Sequence, residues 1–330
     1  MRLITKSPTR VDLAGGTLDL WPIYSFLGDC FTINLSIDIW TEAELIIENR
    51  EQGIEIEIVD LNYQKKFDGL SEVIGCEDPQ LVLIKSCLQY LQPKFGFKLK
   101  TKSESPIGGG LGGSSSLTIS ILKSFLNYEE IGLGLEELVT VAHNVEARVL
   151  HTPTGTQDYF PAASPGLSII EYDCAGPTQT HVPFDSKYFA QHMFLVDTGK
   201  SHHSGLNNWS VLKAAVEKDK HTLRQLGVLK DIAEEMKEAC QGSHWNLFPK
   251  IFKKETEARI SLSEGFVSDE ISQLKKLVLE NSAGEIKICG AGGGGCVLVW
   301  SEPDQKENLI QTCSDAGYAV LKVNPVDHMV

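Results

Sequence analysis

This sequence contains a glycine-rich run, PIGGGLGGSSS (106–116), that leads directly into a helical pattern. Beyond it, Leu117, Ile121, Leu122 and Phe125 recur at helical spacing and predict an amphipathic helix. Glycines let backbone N–H groups close around phosphate oxygens, and the helix dipole favours an anion at the same place. We therefore predict a phosphate-binding loop that contains Gly108, Gly109, Gly110, Leu111, Gly112, Gly113, Ser114 and Ser115.

Two better-known phosphate motifs fit this run poorly. GGGLGG (108–113) satisfies the dinucleotide pattern G-x-G-x-x-G, but Pro106 breaks the entering strand, and Glu129 and Glu130 fall where a helix is ending rather than a second strand. The Walker pattern requires a Lys that this run lacks. For the serines alone, an N-cap after a flexible turn is the simpler interpretation; the whole run favours phosphate binding.

A second glycine loop, CGAGGGGC (289–296), lies between two apolar strand patterns. A plain hairpin needs only two or three turn residues. Glycines in such number indicate backbone that passes very close to a ligand or to a neighbouring element. The alternative interpretation is a long, flexible hairpin loop that approaches nothing closely.

Two carboxylates stand out as candidates for chemistry. Glu146 lies in the last turns of a helical pattern at 135–150, and Asp158 lies in a loop, 151–166, rich in Pro, Gly and Thr. A carboxylate at a helix end and another in a shaped loop suit a metal ligand paired with a base. A serine hydroxyl at the first turn of the preceding helix can ligate Mg²⁺ or bind a phosphate oxygen. Taken singly, each acid also fits a solvated surface.

Periodicity gives a coarse outline of the remaining elements. Alternation at Ile54, Ile56 and Ile58 predicts a strand in a strand-rich first 60 residues. The other predicted elements are helices at 79–91 and 135–150, strands at 95–105, 167–172 and 193–199, a helical stretch at about 208–280, and strands on either side of the second glycine loop within 285–300.

Length and composition restrict the class of protein. With 330 residues we expect two domains, at 1–170 and 171–330. The net charge of −14 argues against a general nucleic-acid or membrane role. No apolar stretch has the length of a membrane helix, and the start shows no secretory pattern. The eight cysteines are scattered without a C-x-x-C pair, so we expect reduced thiols in a cytoplasmic protein that is a monomer or a homodimer.

Three motifs in order resemble those of the GHMP small-molecule kinases, the family of galactokinase, homoserine kinase, mevalonate kinase and phosphomevalonate kinase. They are PTRVDLAGGTLDL (8–20), PIGGGLGGSSS (106–116) and KICGAGGGGC (287–296), with the stretch from Glu146 to GTQD (155–158) between the last two. The resemblance implies an α+β fold of two domains. The first carries the phosphate loop, and the second is a ferredoxin-like α/β sandwich.

The resemblance also implies roles for single residues. Asp158 would accept the proton of the acceptor hydroxyl, and Arg10 would face it. Ser114 and Glu146 would hold Mg²⁺, with Ser115 a second candidate because Gly113 stands where many members have serine. The glycine loop would hold ATP. The implied substrate-binding residues are Gly16, Thr17, Asp19, Gly292 and Gly293.

Within the family, the motifs look closest to the sugar branch, which includes heptose 7-phosphate kinases and the kinase part of fucokinase. The expected partner is therefore a sugar or sugar phosphate. Leu18 separates Thr17 from Asp19, where those kinases read G-G-T-D. A polyol or mevalonate-type acceptor and a non-catalytic sugar and nucleotide sensor stay open. Lys200, Ser201 and His203 are further candidates for substrate contact, or simply a solvated loop.

Overall fold

The computed structural model describes residues 1–47, 53–200, 204–282, 284–290 and 292–327. In chain order, the elements of the first half are β1 (Arg2–Ala14), α1 (Ile23–Leu27), β2 (Cys30–Ile46), β3 (Ile54–Ile58), β4 (Tyr63–Phe67), α2 (Leu70–Gly75), α3 (Val82–Leu91), β5 (Phe97–Ser103), α4 (Gly113–Tyr128), α5 (Leu135–Leu150), α6 (Tyr159–Ala163), β6 (Leu167–Asp173) and β7 (Gly176–His181).

The second half is richer in helix. Its elements are α7 (Ser186–His192), β8 (Met193–Asp197), α8 (Ser204–Val216), α9 (Lys220–Gln241), α10 (Phe248–Leu262), α11 (Asp269–Asn281), β9 (Glu285–Ile288), β10 (Cys296–Trp300), α12 (Pro303–Asp315) and β11 (Ala319–Leu321).

The first half forms one large sheet. Its strands follow the order β4-β3-β5-β2-β6-β7, and β1 pairs with β2 beside this path. The pair β3 and β5 is parallel, whereas β1 and β2 are antiparallel. The proposed division at residue 170 falls inside β6, and β7 also belongs to this sheet, so the chain leaves the sheet only at His181.

The second half forms a four-stranded sheet in the order β11-β8-β10-β9. All its pairs are antiparallel. With helices between β8 and β9 and between β10 and β11, this is the ferredoxin-like arrangement. The predicted α+β fold with a ferredoxin-like second part is therefore confirmed.

The two halves share a continuous apolar core. Leu13 and Ile33 of the first sheet, Leu226 of α9, Phe252 of α10 and Leu298 of β10 belong to one cluster of fully buried side chains. The chain then returns to the first sheet near its end, where Val326 N–H donates to the carbonyl of Ser36 at 2.9 Å. The halves are therefore joined by packing as well as by the connecting chain.

The local patterns predicted many of these elements. They gave no element for β7, α7, α12 or β11, and one predicted region differs from the structure. The stretch 151–166 contains the short helix α6 rather than a loop throughout, because the side chains of residues 159–162 are all buried and pack into the core. Asp158 occupies the N-cap position of this helix. None of the helices in the described part of the chain is long and apolar enough to cross a membrane.

Candidate active site

A cleft of about 370 Å³ opens beside the first glycine loop. The loop from Pro106 to Ser115 forms one wall, and the segment from Pro153 to Tyr159 forms another. Arg10, Thr17 and Asp19 contribute from β1 and the loop after it. Asn208 and Gly290 line the cleft from the second half of the described chain. The three sequence motifs thus meet at one place.

The glycine loop ends in a helix N-terminus that carries no side-chain cap. Gly112 is the N-cap of α4, with φ of 73°, a left-handed conformation that glycine adopts without steric cost. An ideal Cβ on Gly112 would lie 3.2 Å from Cβ of Asp158, so the loop and the acid are in contact. The first N–H groups of α4 are open to an anion, as a phosphate site requires.

Arg10 ties the candidate base to the glycine loop. It is buried on β1; its Nε donates to Asp158 Oδ1 at 2.9 Å, and its Nη2 also contacts this oxygen. Its Nη1 donates to the carbonyl of Gly110 at 2.6 Å. Burial alone would lower the pKa of Arg10, but the carboxylates of Asp158 and Asp12 raise it above its ordinary value. The guanidinium therefore stays charged and fixes Asp158 beside the loop.

Glu146 lies at the other side of the loop. It is buried on α5, and its Oε2 accepts from the Ser115 hydroxyl at 2.8 Å and from the Tyr159 hydroxyl at 2.5 Å. Burial raises the pKa of Glu146, and these hydroxyl donors oppose the shift. Ser114 is exposed on the first turn of α4 and lines the cleft. Both candidate serines thus lie near Glu146, with Ser115 in direct contact.

Asp19 closes the end of the cleft nearest β1. It is buried, and its Oδ2 accepts from the backbone N–H of Gln157 at 3.2 Å. An ideal Cβ on Gly155 would lie 1.6 Å from the same oxygen, so a larger residue there would displace the Asp19 carboxylate. Burial and the nearby charge of Asp158 raise the pKa of Asp19 to about 6.

The second glycine loop packs against the first. An ideal Cβ on Gly290 would lie 3.0 Å from Cα of Gly110, and Cys296 N–H donates to the carbonyl of Gly109 at 2.8 Å. The close neighbour expected from the glycine content is therefore the other glycine loop.

Three of the predicted substrate residues do not line the cleft. Gly292 and Gly293 pack on the carbonyl of Phe266, which accepts from Gly293 N–H at 2.8 Å. Gly16 lies behind the site, because an ideal Cβ there would be 2.5 Å from Nη2 of Arg259. Lys200 pairs with Glu270 at 3.2 Å on the surface. Ser201 and His203 lie outside the described residues.

Sequence reasoning missed a buried ion cluster behind the cleft. Asp12, Glu255, Arg259 and Lys287 are all fully buried. Lys287 Nζ lies 3.0 Å from Asp12 Oδ2 and 3.2 Å from Glu255 Oε1, and Arg259 Nε donates to Glu255 Oε1 at 2.6 Å. Asp12 Oδ1 also accepts from Gly290 N–H at 3.1 Å. No local pattern indicates this cluster, since its members come from three elements distant in sequence.

Sequence reasoning also did not single out Tyr159 and Asn208. Tyr159 directly follows Asp158, and its aromatic character predicts burial but not its contact with Glu146. Asn208 lies on the same stripe of α8 as Val211, Leu212 and Ala215, which are buried. A polar residue on an otherwise apolar stripe is a signal that the helical periodicity of the sequence carries.

Two family models match the chain. One, GHMP kinases N terminal domain, matches residues 82–166, and the other, GHMP kinases C terminal, matches residues 233–319. Together they cover just over half of the chain. The first includes the glycine loop, Glu146 and Asp158, and the second includes the glycine loop at 289–296.

The chain is also similar to named proteins over nearly its full length. It is 27% identical over 326 residues to D-glycero-alpha-D-manno-heptose 7-phosphate kinase of Campylobacter jejuni. The match covers 95% of this chain and 94% of that protein. A structure titled D-glycero-D-manno-heptose 1-phosphate kinase, from Bacteroides thetaiotaomicron, superposes with a TM-score of 0.76 at 21% identity over 99% of this chain and 97% of that one.

A mevalonate kinase from Methanococcus jannaschii superposes almost equally well. Its TM-score is 0.75 at 20% identity, over 99% of both chains. The two superpositions establish the fold. Because kinases titled for a heptose phosphate and for mevalonate share this fold, the choice of acceptor depends on the residues of the cleft.

Proposed function

This chain belongs to the GHMP kinase family and is a phosphotransferase with an alcohol acceptor, and we propose that it transfers the γ-phosphoryl group of ATP to a hydroxyl of a sugar or sugar phosphate in the presence of Mg²⁺. The acceptor we favour is a heptose 7-phosphate-type sugar, phosphorylated at its anomeric hydroxyl. The observation that carries the proposal is the Arg10 guanidinium, which binds both Asp158 and the carbonyl of Gly110. This one side chain ties a base to a phosphate cradle.

The glycine loop and the start of α4 would hold the phosphates of ATP. The start of α4 has no side-chain cap, so its first backbone N–H groups can bind an anion. Gly108 to Gly113 with Leu111 supply the cradle, and Ser114 and Ser115 supply hydroxyls at its end.

The donors beside this cradle fit Mg²⁺. The exposed hydroxyl of Ser114, the hydroxyl of Ser115 and the carboxylate of Glu146 are hard oxygen ligands of the kind that Mg²⁺ takes together with substrate phosphates and water. Ser114 and Glu146 would hold the ion, with Ser115 the alternative to Ser114. When bound, Mg²⁺ neutralises charge on the phosphates.

Asp158 would act on the acceptor hydroxyl. In the step we propose, the hydroxyl proton moves to Asp158, the hydroxyl oxygen forms a bond to the γ-phosphorus, and the bond from that phosphorus to the bridging oxygen of ADP breaks. Arg10 holds the carboxylate in place. Phosphoryl transfer passes through a loose transition state, so we attribute most of the acceleration to positioning and charge neutralisation.

The charges of the cleft favour a hydroxyl-rich acceptor over a carboxylate. Its acidic lining residues are Asp19, Glu146 and Asp158. Among the lining residues that the structure describes, Arg10 is the single basic side chain, and it is already bound to Asp158. A mevalonate carboxylate in this end of the cleft would meet like charge, whereas sugar hydroxyls can donate to Asp19. The heptose kinase of Campylobacter jejuni supports the same choice.

The test is ADP release from Mg-ATP with D-glycero-D-manno-heptose 7-phosphate, L-fucose, D-galactose, glycerol and mevalonate. We expect one sugar or sugar phosphate to stimulate the native protein, and Asp158→Asn to lower turnover by about 10²- to 10⁴-fold while ATP binding is kept. Asp304→Asn is the matched control, because Asp304 is exposed on α12 and outside the cleft.

Each of the other outcomes would contradict one part of the proposal. Stimulation by mevalonate or glycerol alone would keep the kinase and overturn the sugar acceptor. Full turnover by Asp158→Asn would remove Asp158 from the chemistry. ATP binding without stimulation by any compound would favour the sensor alternative.

A further inference from the structure

We propose that Asn208 is a specificity-determining residue that binds a hydroxyl of the acceptor next to the one held by Asp19, an inference that rests on the proposed function. Asn208 comes from α8, in the second half of the chain, and lines the end of the cleft that Thr17 and Asp19 also line. Residues from both halves of the molecule would thus contact the acceptor.

Asn208 lies on the apolar stripe of α8. Val211, Leu212 and Ala215 follow it on the same stripe of α8, and all are buried. An apolar residue at 208 would continue this packing. The chain instead has an amide there, half-buried, on the wall of the cleft. Burying part of an amide is unfavourable unless it finds a hydrogen-bond partner.

The only partner of this amide within the described chain is Thr17. The Thr17 hydroxyl donates to Asn208 Oδ1 at 3.5 Å, a long bond, and Nδ2 has no partner among the described residues. Because a hydroxyl can donate or accept, turning the amide would satisfy Thr17 equally well and leave the oxygen unpaired instead. In either orientation one polar group of the amide has no partner within the described part of the chain and can bind a ligand.

The backbone of Thr17 gives an independent indication. Its φ is 81°, a left-handed conformation that is unfavourable for a β-branched residue, and it is buried. Such outliers persist where the surrounding structure holds them, and they concentrate at binding sites. Here the conformation brings the hydroxyl to Asn208, two residues from Asp19.

The chemistry of the pair selects the ligand. The carboxylate of Asp19 accepts hydrogen bonds from hydroxyl groups, and the amide of Asn208 can both donate and accept. Neither group carries positive charge. A neutral pair of neighbouring hydroxyls fits this combination, as on a pyranose ring. A carboxylate or phosphate at this end of the acceptor does not, so a phosphate already on the acceptor would lie at its far end.

The test compares Asn208→Leu and Asn208→Asp with the native protein. Loss of a hydrogen bond to a neutral hydroxyl predicts an acceptor KM about tenfold higher in Asn208→Leu, with the KM for ATP unchanged. Asn208→Asp keeps the size and one oxygen, guards against a folding defect and removes the amide donor. Ser210→Ala is the control, because Ser210 is exposed on the same helix and bonds only to the carbonyl of Asn207 among the described groups.

A deoxy analogue separates recognition from a structural role. Among single-deoxy analogues of the acceptor, the native protein should discriminate against the one that lacks the hydroxyl next to that held by Asp19, and Asn208→Leu should lose most of that discrimination. A merely structural role would change both acceptors equally. Unchanged acceptor KM in both Asn208 variants would overturn the proposal.

A direct measurement of acceptor binding keeps this test independent of the test of kinase activity. Saturation-transfer NMR of the same five compounds, without ATP, reports acceptor binding even if no phosphoryl transfer occurs. Weaker binding to Asn208→Leu than to native protein would support the inference where the kinase proposal had failed. Equal binding to both, or binding of none of the compounds to native protein, would overturn it.

Discussion

Asp19 is a single residue whose burial lowers the stability of the folded protein and leaves a hydrogen-bond acceptor in the cleft. Its carboxylate is buried beside Asp158, and both effects raise its pKa to about 6. The N–H of Gln157 and the charge of Arg10 work in the opposite direction. At neutral pH the group is therefore ionised, at a cost to the folded state of about 3 kcal/mol relative to an unperturbed Asp. The ionised form is the one that accepts hydrogen bonds from two hydroxyls.

Asp19→Asn should change how the stability of the protein depends on pH. Because the folded pKa lies above the ordinary value of 3.8, the stabilising contribution of Asp19 is present below about pH 4 and is lost as the pH rises through 6. Asn does not ionise, so the variant does not lose stability in this way as the pH rises. We expect its advantage in unfolding free energy to grow by about 1–2 kcal/mol between pH 5 and pH 8, measured by urea denaturation.

The same variant should bind the acceptor more weakly while its KM for ATP stays unchanged. A stability difference between variant and native protein that is constant from pH 5 to pH 8 would show that Asp19 is not the titrating group.

At the scale of elements, the two glycine loops require each other. Gly110 has φ of 71°, and an ideal Cβ there would lie 2.7 Å from the carbonyl oxygen of Cys289. Gly295 meets the first loop in the same way, 2.8 Å from the carbonyl oxygen of Gly108. A side chain at these positions would therefore separate the loops and move the backbone that forms the phosphate cradle.

Gly110→Ala should lower ATP affinity by at least tenfold, measured by calorimetry with Mg-ATP. The expected loss has two parts, a left-handed alanine costing roughly 1 kcal/mol and a clash with the second loop. Gly317→Ala is the matched control, because Gly317 has φ of 89° with open space around it. It shares the strain but not the clash, so equal ATP affinity in the two variants would mean that loop contact does not shape the cradle.

Sequence patterns predicted those elements whose signal is local. The helix at 135–150 follows from its apolar spacing and matches α5 residue for residue, and the glycine loop follows from its composition. The bond from Arg10 to Asp158 and the contact of Asn208 with Thr17 join residues 148 and 191 positions apart. Periodicity carries no information about such distances. The resemblance to a family supplied the first pair, and the second emerged only from the folded chain.

At the scale of the whole molecule, the buried ion cluster links the halves behind the cleft. It joins Asp12 of β1 to Glu255 and Arg259 of α10 and to Lys287 of β9. Burial alone would raise the pKa of Asp12, but Lys287, Arg259 and Arg10 lower it. Two acids and two bases balance within the cluster. Through the bond from Gly290 N–H to Asp12, it also sets the loop that packs on Gly110.

Lys287→Met tests this link, because it leaves Asp12 and Glu255 buried with Arg259 as their remaining partner in the cluster. Removing one partner of a buried ion pair costs about 3–5 kcal/mol, so we expect a loss of that size in unfolding free energy by urea denaturation. Adding Glu255→Gln restores the charge balance, and the double variant should be less destabilised than the sum of the single ones. Lys322→Met is the control, because Lys322 and Glu307 form an exposed pair worth about 0–1 kcal/mol. If Lys287→Met costs no more than Lys322→Met, the halves are held together by their shared apolar core and not by the cluster.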